Sequence, residues 1–315
     1  MEEGMRGEIT RFLDHLQAEK GFSPNTLAAY QNDLSQFLSS LQRGVQLGVA
    51  PLPDPNLWNG VRNEHIQVYI STLHGKKYAQ TTIARKIASI KSFFHFLQDQ
   101  KLIVGNPAES LSSPGIRRSL PKTISSGEVA ELLEQTLKRE TPEARRDWAM
   151  LSLLCSTGMR VTELVKLNVD DVILDQNLPH IRCIGRNTGP RLIRLPEESI
   201  GAISEYLTSA RDRLARSAEK TALFLNRRGE RLTRQGFWLI LKSYAKAAHL
   251  PEEITPHMLR HTFAAQMLGS GRLNLRELQE FLGHASITTT QVYTQISQGF
   301  SISGAARKPA RSGRR

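Results

Sequence analysis

Between Thr255 and Thr294 the chain reads TPHMLRHTFAAQMLGSGRLNLRELQEFLGHASITTTQVYT, which gathers His257, Arg260, His261, His284 and Tyr293. Imidazoles move protons, a guanidinium holds an anion, and a phenol can serve as an oxygen nucleophile. Each residue alone also has a plainer reading. A tyrosine beside Val292 suits a half-buried core position, and a histidine just past a helix end complements the helix dipole. His257 and His261, four apart, have the spacing of a zinc pair. The glutamate of an HExxH site is absent and no third ligand is evident, so no metal is expected.

A second stretch, STGMRVTELVKL (Ser156–Leu167), sets Arg160 at a helix start with Glu163 one turn on. An arginine there, right after an apolar helix, needs an anion. Either Glu163 is that anion in an ordinary ion pair, or Glu163 braces Arg160 for an external phosphate.

The elements that must position these groups are legible. Thr255-Pro256 is a helix start, and His257 and Arg260 share a face of that helix. Gly269 and Gly271 end it. Asn274 caps a second helix with the apolar stripe Leu275, Leu278, Phe281 and Leu282, which Gly283 stops. His284 therefore follows a helix end, and Ser286 caps the helix that carries Tyr293.

TGMRVTEL, HMLRHTFA and LGHASITTTQVYT, in that order and with His284 and Tyr293 nine residues apart, resemble the three signature boxes of the tyrosine recombinase (phage integrase) family, and most closely its Xer-type members. GFSPNTLAAYQNDLSQFL and ARKIASIKSFFHFLQ are similar to the amino-terminal core-binding domain, and LFLNRRGERLTRQGFW to the stretch before the HxxR box. The resemblance covers roughly Glu8 to Thr294. It implies that Tyr293 attacks a phosphodiester to give a 3′-phosphotyrosyl link and a free 5′-hydroxyl. Arg160 and Arg260 would hold the non-bridging oxygens, His257 would act as acid/base toward the tyrosine, and His284 would donate to the phosphate. Glu163 would orient Arg160, with His261 also in the supporting layer. The family usually carries a lysine in the hairpin turn as acid for the departing oxygen. Here the matching position is Arg186, which keeps the charge but is a poor proton donor. Arg191 or a lysine from elsewhere is the alternative donor.

The expected fold is mainly α: a two-domain, C-shaped clamp. Residues 1–104 read as a four-helix, SAM-like core-binding domain, with helices near 8–18, 24–41, 63–73 and 81–98. Arg85, Lys86 and Lys91 on the last helix are candidates for phosphate contacts; a solvated basic face is the alternative. Residues 105–122, GNPAESLSSPGIRRSLPK, read as a flexible linker, basic at Arg117 and Arg118. Residues 123–302 read as a mostly helical catalytic domain with a small β-hairpin, HIRCIG and RLIRLP flanking Asn187-Thr188-Gly189. The segment 295–302 is expected to be marginally ordered, and 303–315 to be a basic, disordered tail.

Charge agrees with a polyanionic partner. Residues 1–115 hold 11 Lys and Arg against 10 Asp and Glu, whereas the remainder holds 31 against 20. A basic half of this kind suits nucleic acid. There is no apolar run long enough to span a membrane and no signal-peptide core at the start. The two cysteines, Cys155 and Cys183, offer no disulfide framework. The expected setting is the cytoplasm, with no cofactor. The expected partners are double-stranded DNA bearing a specific site and a homo- or heterotetramer with a second recombinase. Chromosome dimer resolution at cell division is the expected role. A mobile-element integrase, a monomeric type IB topoisomerase and a non-catalytic junction-binding protein are the rivals.

Overall fold

The structure is a computed structural model and describes residues 3–42, 58–112, 120–175, 177–184, 189–215, 221–284 and 286–304. The chain divides into two compact units, Met1–Arg118 and Ser119–Arg315.

The first unit is built from α1 (Glu3–Ala18), α2 (Pro24–Gln42), α3 (Asn63–Gly75) and α4 (Gln80–Asp99). Helix α1 starts earlier than its apolar stripe predicts because Met5 joins the core, its carbonyl accepting from Trp58 Nε1 at 3.2 Å. Ser23 caps α2 by accepting from the Thr26 amide at 3.1 Å. The helical-spacing stripes meet in an aromatic core of Phe12, Phe37, Trp58, Phe93 and Phe94, with Trp58 set edge-on to Phe93 at 4.7 Å between ring centroids. The expected linker begins later than 105. Ala108 and Leu111 are buried in this core, and Asn63 donates to the Pro107 carbonyl at 3.0 Å.

The second unit begins with α5 (Ser126–Leu137), whose Ser125 and Glu128 form a reciprocal capping box. Then come α6 (Pro142–Thr157), capped by Thr141, and the short α7 (Val161–Leu164). The run Ala149–Leu154 of α6 is almost wholly buried, which makes α6 the central strut of the core. A three-stranded antiparallel sheet follows, in the order β1 (Val172–Ile173), β2 (His180–Ile184) and β3 (Pro190–Arg194), with Cys183 opposite Arg191. The hairpin expected from sequence is there, and β1 extends it. Next are α8 (Glu197–Glu205), a wider turn at Tyr206–Ala210, α9 (Arg211–Leu214) and α10 (Arg234–Ala247).

Three helices close the unit: α11 (Pro256–Gly269), α12 (Leu275–Leu282) and α13 (Ile287–Gly304). Thr255 accepts from the Met258 amide at 3.2 Å, and Asn274 accepts from the amides of Arg276 and Glu277, each at 3.0 Å. Phe263, Ala264, Leu278, Leu282 and Tyr293 form a separate small core that binds α11, α12 and α13 together. The helix bearing Tyr293 runs on through Gly304, further than its composition suggests, with Val292 and Ile296 packed against that core. Residues 305–315, the rest of the expected tail, lie outside the described residues.

Candidate active site

The last turn of α12 is the hub. Its carbonyls at Phe281, Leu282 and Gly283 have no partner further along the helix and carry the negative end of the helix dipole. Each takes a guanidinium. Arg191 Nε donates to Phe281 at 3.1 Å, Arg260 Nη2 to Leu282 at 2.7 Å, and Arg160 Nη2 to Gly283 at 3.0 Å. Gly283 adopts φ 63°, the left-handed conformation that ends the helix there.

Arg260 is buried on α11 and also donates to the Gly158 carbonyl at 2.6 Å. Burial, with Arg160 nearby, lowers its pKa to about 10. Gly158 sits at φ 58° after α6, which turns the chain so that Arg160 faces Arg260's neighbourhood. Arg160 remains about a third exposed, its side chain at 35%. Glu163 receives both its backbone amide, at 2.7 Å, and Nη1, at 3.2 Å. Arg160 is therefore paired with Glu163, but it shares that carboxylate. Arg191 grips the same carboxylate with Nη1 and Nη2 at 2.9 and 3.0 Å. Burial pushes the Glu163 carboxyl up, and the Arg191 hydrogen bonds and the Arg160 amide outweigh it, leaving the group below its ordinary value. Arg191 is thus committed to Glu163 and Phe281, which leaves it unsuited to be a proton donor.

The three histidines are all held below the usual imidazole range. His284 is pulled to about 4 by burial and by Arg260 and Arg160, and is neutral. Its Nε2 lies 3.0 Å from Arg260 Nη2, and its Nδ1 lies 3.0 Å from the buried Thr290 hydroxyl. Since a guanidinium only donates, Nε2 accepts and Nδ1 carries the proton. The nitrogen toward Arg260 is therefore an acceptor in this arrangement, whereas the sequence expectation made His284 a donor to phosphate. His261, also lowered to about 4 by burial, His257 and Arg260, faces Tyr293 with Nδ1 2.7 Å from the phenol oxygen. Burial raises the phenol's pKa more than Arg260 and Arg160 lower it, so the O–H is intact and donates to His261.

That contact is with a different imidazole from the one the sequence put forward. The imidazole on the phenol is His261, one helical turn beyond His257, because α11 packs that turn against α13. His257 keeps a solvent-accessible side chain. The protein packed on one side of it, then Arg234, Arg260 and Arg160, hold its pKa down. Arg234, at the start of α10, was not anticipated from the sequence. Tyr293 itself is 2% exposed, so its hydroxyl must leave this pocket to reach a substrate.

Of the expected phosphate contacts in the first unit, Lys86 is overturned. Its side chain is buried, and Nζ donates to Asp33 Oδ1 at 2.9 Å and to Gln36 Oε1 at 2.8 Å. Arg85 is more open but also pairs with Asp33. Lys91 donates to the Leu111 carbonyl at 2.8 Å. Arg117, Arg118 and Arg186 lie outside the described residues. Among the described residues no group of three or more His, Cys, Asp or Glu is arranged to hold a metal ion, and no helix is long and apolar enough to cross a membrane.

Known proteins agree with this architecture. Residues 122–299 match the phage integrase family, and residues 9–101 match the phage integrase N-terminal SAM-like domain. Tyrosine recombinase XerC of Herpetosiphon aurantiacus is 46% identical over 293 residues, covering 93% of this chain and 92% of that protein. Tyrosine recombinase XerD of Listeria innocua is 39% identical over 295 residues, covering 93% and 95%. Among solved structures, the XerH site-specific recombinase in a post-cleavage complex with difH shares the fold at a TM-score of 0.70, with 22% identity and 95% and 94% of the two chains covered. With these matches over nearly its whole length, the chain belongs to the phage integrase family and is a tyrosine recombinase.

Proposed function

We propose that this protein cuts and rejoins duplex DNA at a specific site by way of a 3′-phosphotyrosyl intermediate and a Holliday junction, and that it resolves chromosome dimers. The observation that carries the reading is the convergence of Arg160, Arg260, His284 and the Tyr293 helix on the last turn of α12. The relatives named for Xer recombination, and neighbours solved on recombination sites or on a Holliday junction, support it.

In this reading the Tyr293 oxygen attacks phosphorus, a Tyr–O–P bond forms, and the bond to the 5′-oxygen breaks. The phenol's proton passes to an imidazole. His261 holds that proton's hydrogen bond at rest, and His257 is the accessible imidazole once the phenol moves out. Arg160 and Arg260 stabilise the charge that grows on the non-bridging oxygens, each such donor contributing on the order of 3 kcal/mol. Arg186 fills the lysine's place electrostatically, and the departing 5′-oxygen takes its proton from another donor or from water. The phosphotyrosyl link conserves the bond energy, so a 5′-hydroxyl from a second strand can reverse the step without ATP. Four subunits on two duplexes, this chain alone or with a second recombinase, would complete the exchange.

The test uses nicked duplexes carrying candidate sites, from which the fragment beyond the cut is lost. A denaturation-resistant protein–DNA adduct is expected from the wild type and not from Tyr293→Phe. Tight binding to a site with no adduct would favour the junction-binding alternative.

A further inference from the structure

The Glu163 carboxylate, 4% exposed, accepts four N–H groups from two arginines. One carboxylate cannot neutralise two guanidiniums, so the trio keeps one positive charge. Its distribution is uneven. Arg191 is nearly buried, its side chain 13% exposed, and makes the symmetric two-pronged contact; Arg160 makes one longer side-chain contact and is 35% exposed. The uncompensated charge therefore lies on the arginine that faces solvent. Arg191 also reaches the Phe281 carbonyl, two residues from the Gly283 carbonyl that holds Arg160. It fastens β3, α7 and the end of α12 at one point.

We propose that Arg191 is a positioning residue: it neutralises Glu163 so that Arg160's charge stays available to the scissile phosphate. Without Arg191, Glu163 is a buried carboxylate whose remaining cationic neighbour is Arg160. A buried unpaired charge is costly enough to capture that neighbour. Arg160 then closes into a one-to-one pair, and the phosphate loses a donor although Arg160 is still present. This inference rests on the recombinase reading of the site. It differs from a purely structural ion pair, whose charge-dependent cost falls on stability, because here the cost falls on the cleavage rate of the folded protein and is relieved when residue 163 is neutral.

The experiment follows the rate of adduct formation on a nicked duplex, with duplex affinity and thermal unfolding measured alongside, for the wild type, Arg191→Met, Glu163→Gln and the double variant. Arg191→Met is expected to slow cleavage by about 10²-fold, the cost of one anion-stabilising donor, with duplex affinity changed by no more than about threefold because phosphate contacts over the wider surface supply most of it. The double variant is expected to cleave roughly tenfold faster than Arg191→Met, since no buried charge remains to capture Arg160. A double variant no faster than the folded Arg191→Met overturns the proposal. Should Arg191→Met fail to fold, the double variant, which leaves no buried charge unpaired, is compared with Glu163→Gln. Rates within about threefold support the proposal, because Arg191 then has nothing left to neutralise; a further tenfold loss overturns it. A wild type that binds but forms no adduct overturns the recombinase reading itself, and the inference with it.

Discussion

At the scale of the residue, the site is at rest. The Tyr293 phenol keeps its proton and donates a hydrogen bond to His261 Nδ1, while the His284 Nε2 meets Arg260 and its Nδ1 meets Thr290. Both imidazoles are neutral in the fold, with pKa values of about 4. In the unfolded chain they titrate near 6.5, so between roughly pH 6.5 and 4 the unfolded state binds more protons. Stability from these groups is therefore fully present above about pH 6.5 and declines as the pH falls toward 4. Urea unfolding at a series of pH values through this window is expected to show a falling midpoint, and the decline should be shallower in His284→Asn, which removes one of the titrating groups. A decline of equal steepness would mean that other groups, not this imidazole, govern acid sensitivity. Sequence spacing put His257 and Arg260 on one face, yet the phenol's partner was not legible. Four residues are one turn, and which turn meets α13 depends on how two helices cross.

At the scale of the element, helix ends do the positioning, and most of them were readable. Thr255-Pro256, Asn274 and Gly283 each announce a start or stop, and the structure uses all three. What could not be read is that the α12 carbonyls collect three arginines from distant segments, since every residue type carries a carbonyl. The Arg191–Glu163 contact was hidden for a similar reason: 28 positions separate the pair, and only the hairpin brings them together. Gly158 tests the importance of these ends. Its φ of +58° disfavours any side chain, and an added Cβ would lie 2.3 Å from Phe263 Cδ1, inside a packed ring. Gly158→Ala is expected to cost on the order of 1–3 kcal/mol in denaturant unfolding. It should also slow adduct formation, because the Gly158 carbonyl anchors Arg260. Unchanged cleavage in a destabilised variant would show that Arg260 does not depend on this anchor.

For the molecule as a whole, the uneven charge, 31 basic against 20 acidic residues after position 115, is what a duplex would meet. Binding by the full chain is expected to weaken steeply with salt, in proportion to the number of phosphates neutralised. Lys86 shows why counting lysines on a helix overestimates that number. It lies three residues after Ile83 and four before Ile90, within the α4 apolar stripe, while Asp33 lies beside Leu34 in the stripe of α2. Opposite charges at core-facing positions of two neighbouring helices signal a buried pair, and this signal was present in the sequence. Lys86→Met is therefore expected to destabilise the protein by about 3 kcal/mol, as when a buried pair loses one member. The dependence of log affinity on log salt, measured by titrating a labelled duplex at several salt concentrations, should keep its wild-type slope. A lysine that contacts phosphate would instead lower that slope by about one unit when removed. Stability and salt slope thus separate a charge that builds the first unit from one that meets DNA. A shallower slope in a fully folded Lys86→Met would mean that this ammonium leaves Asp33 for the duplex.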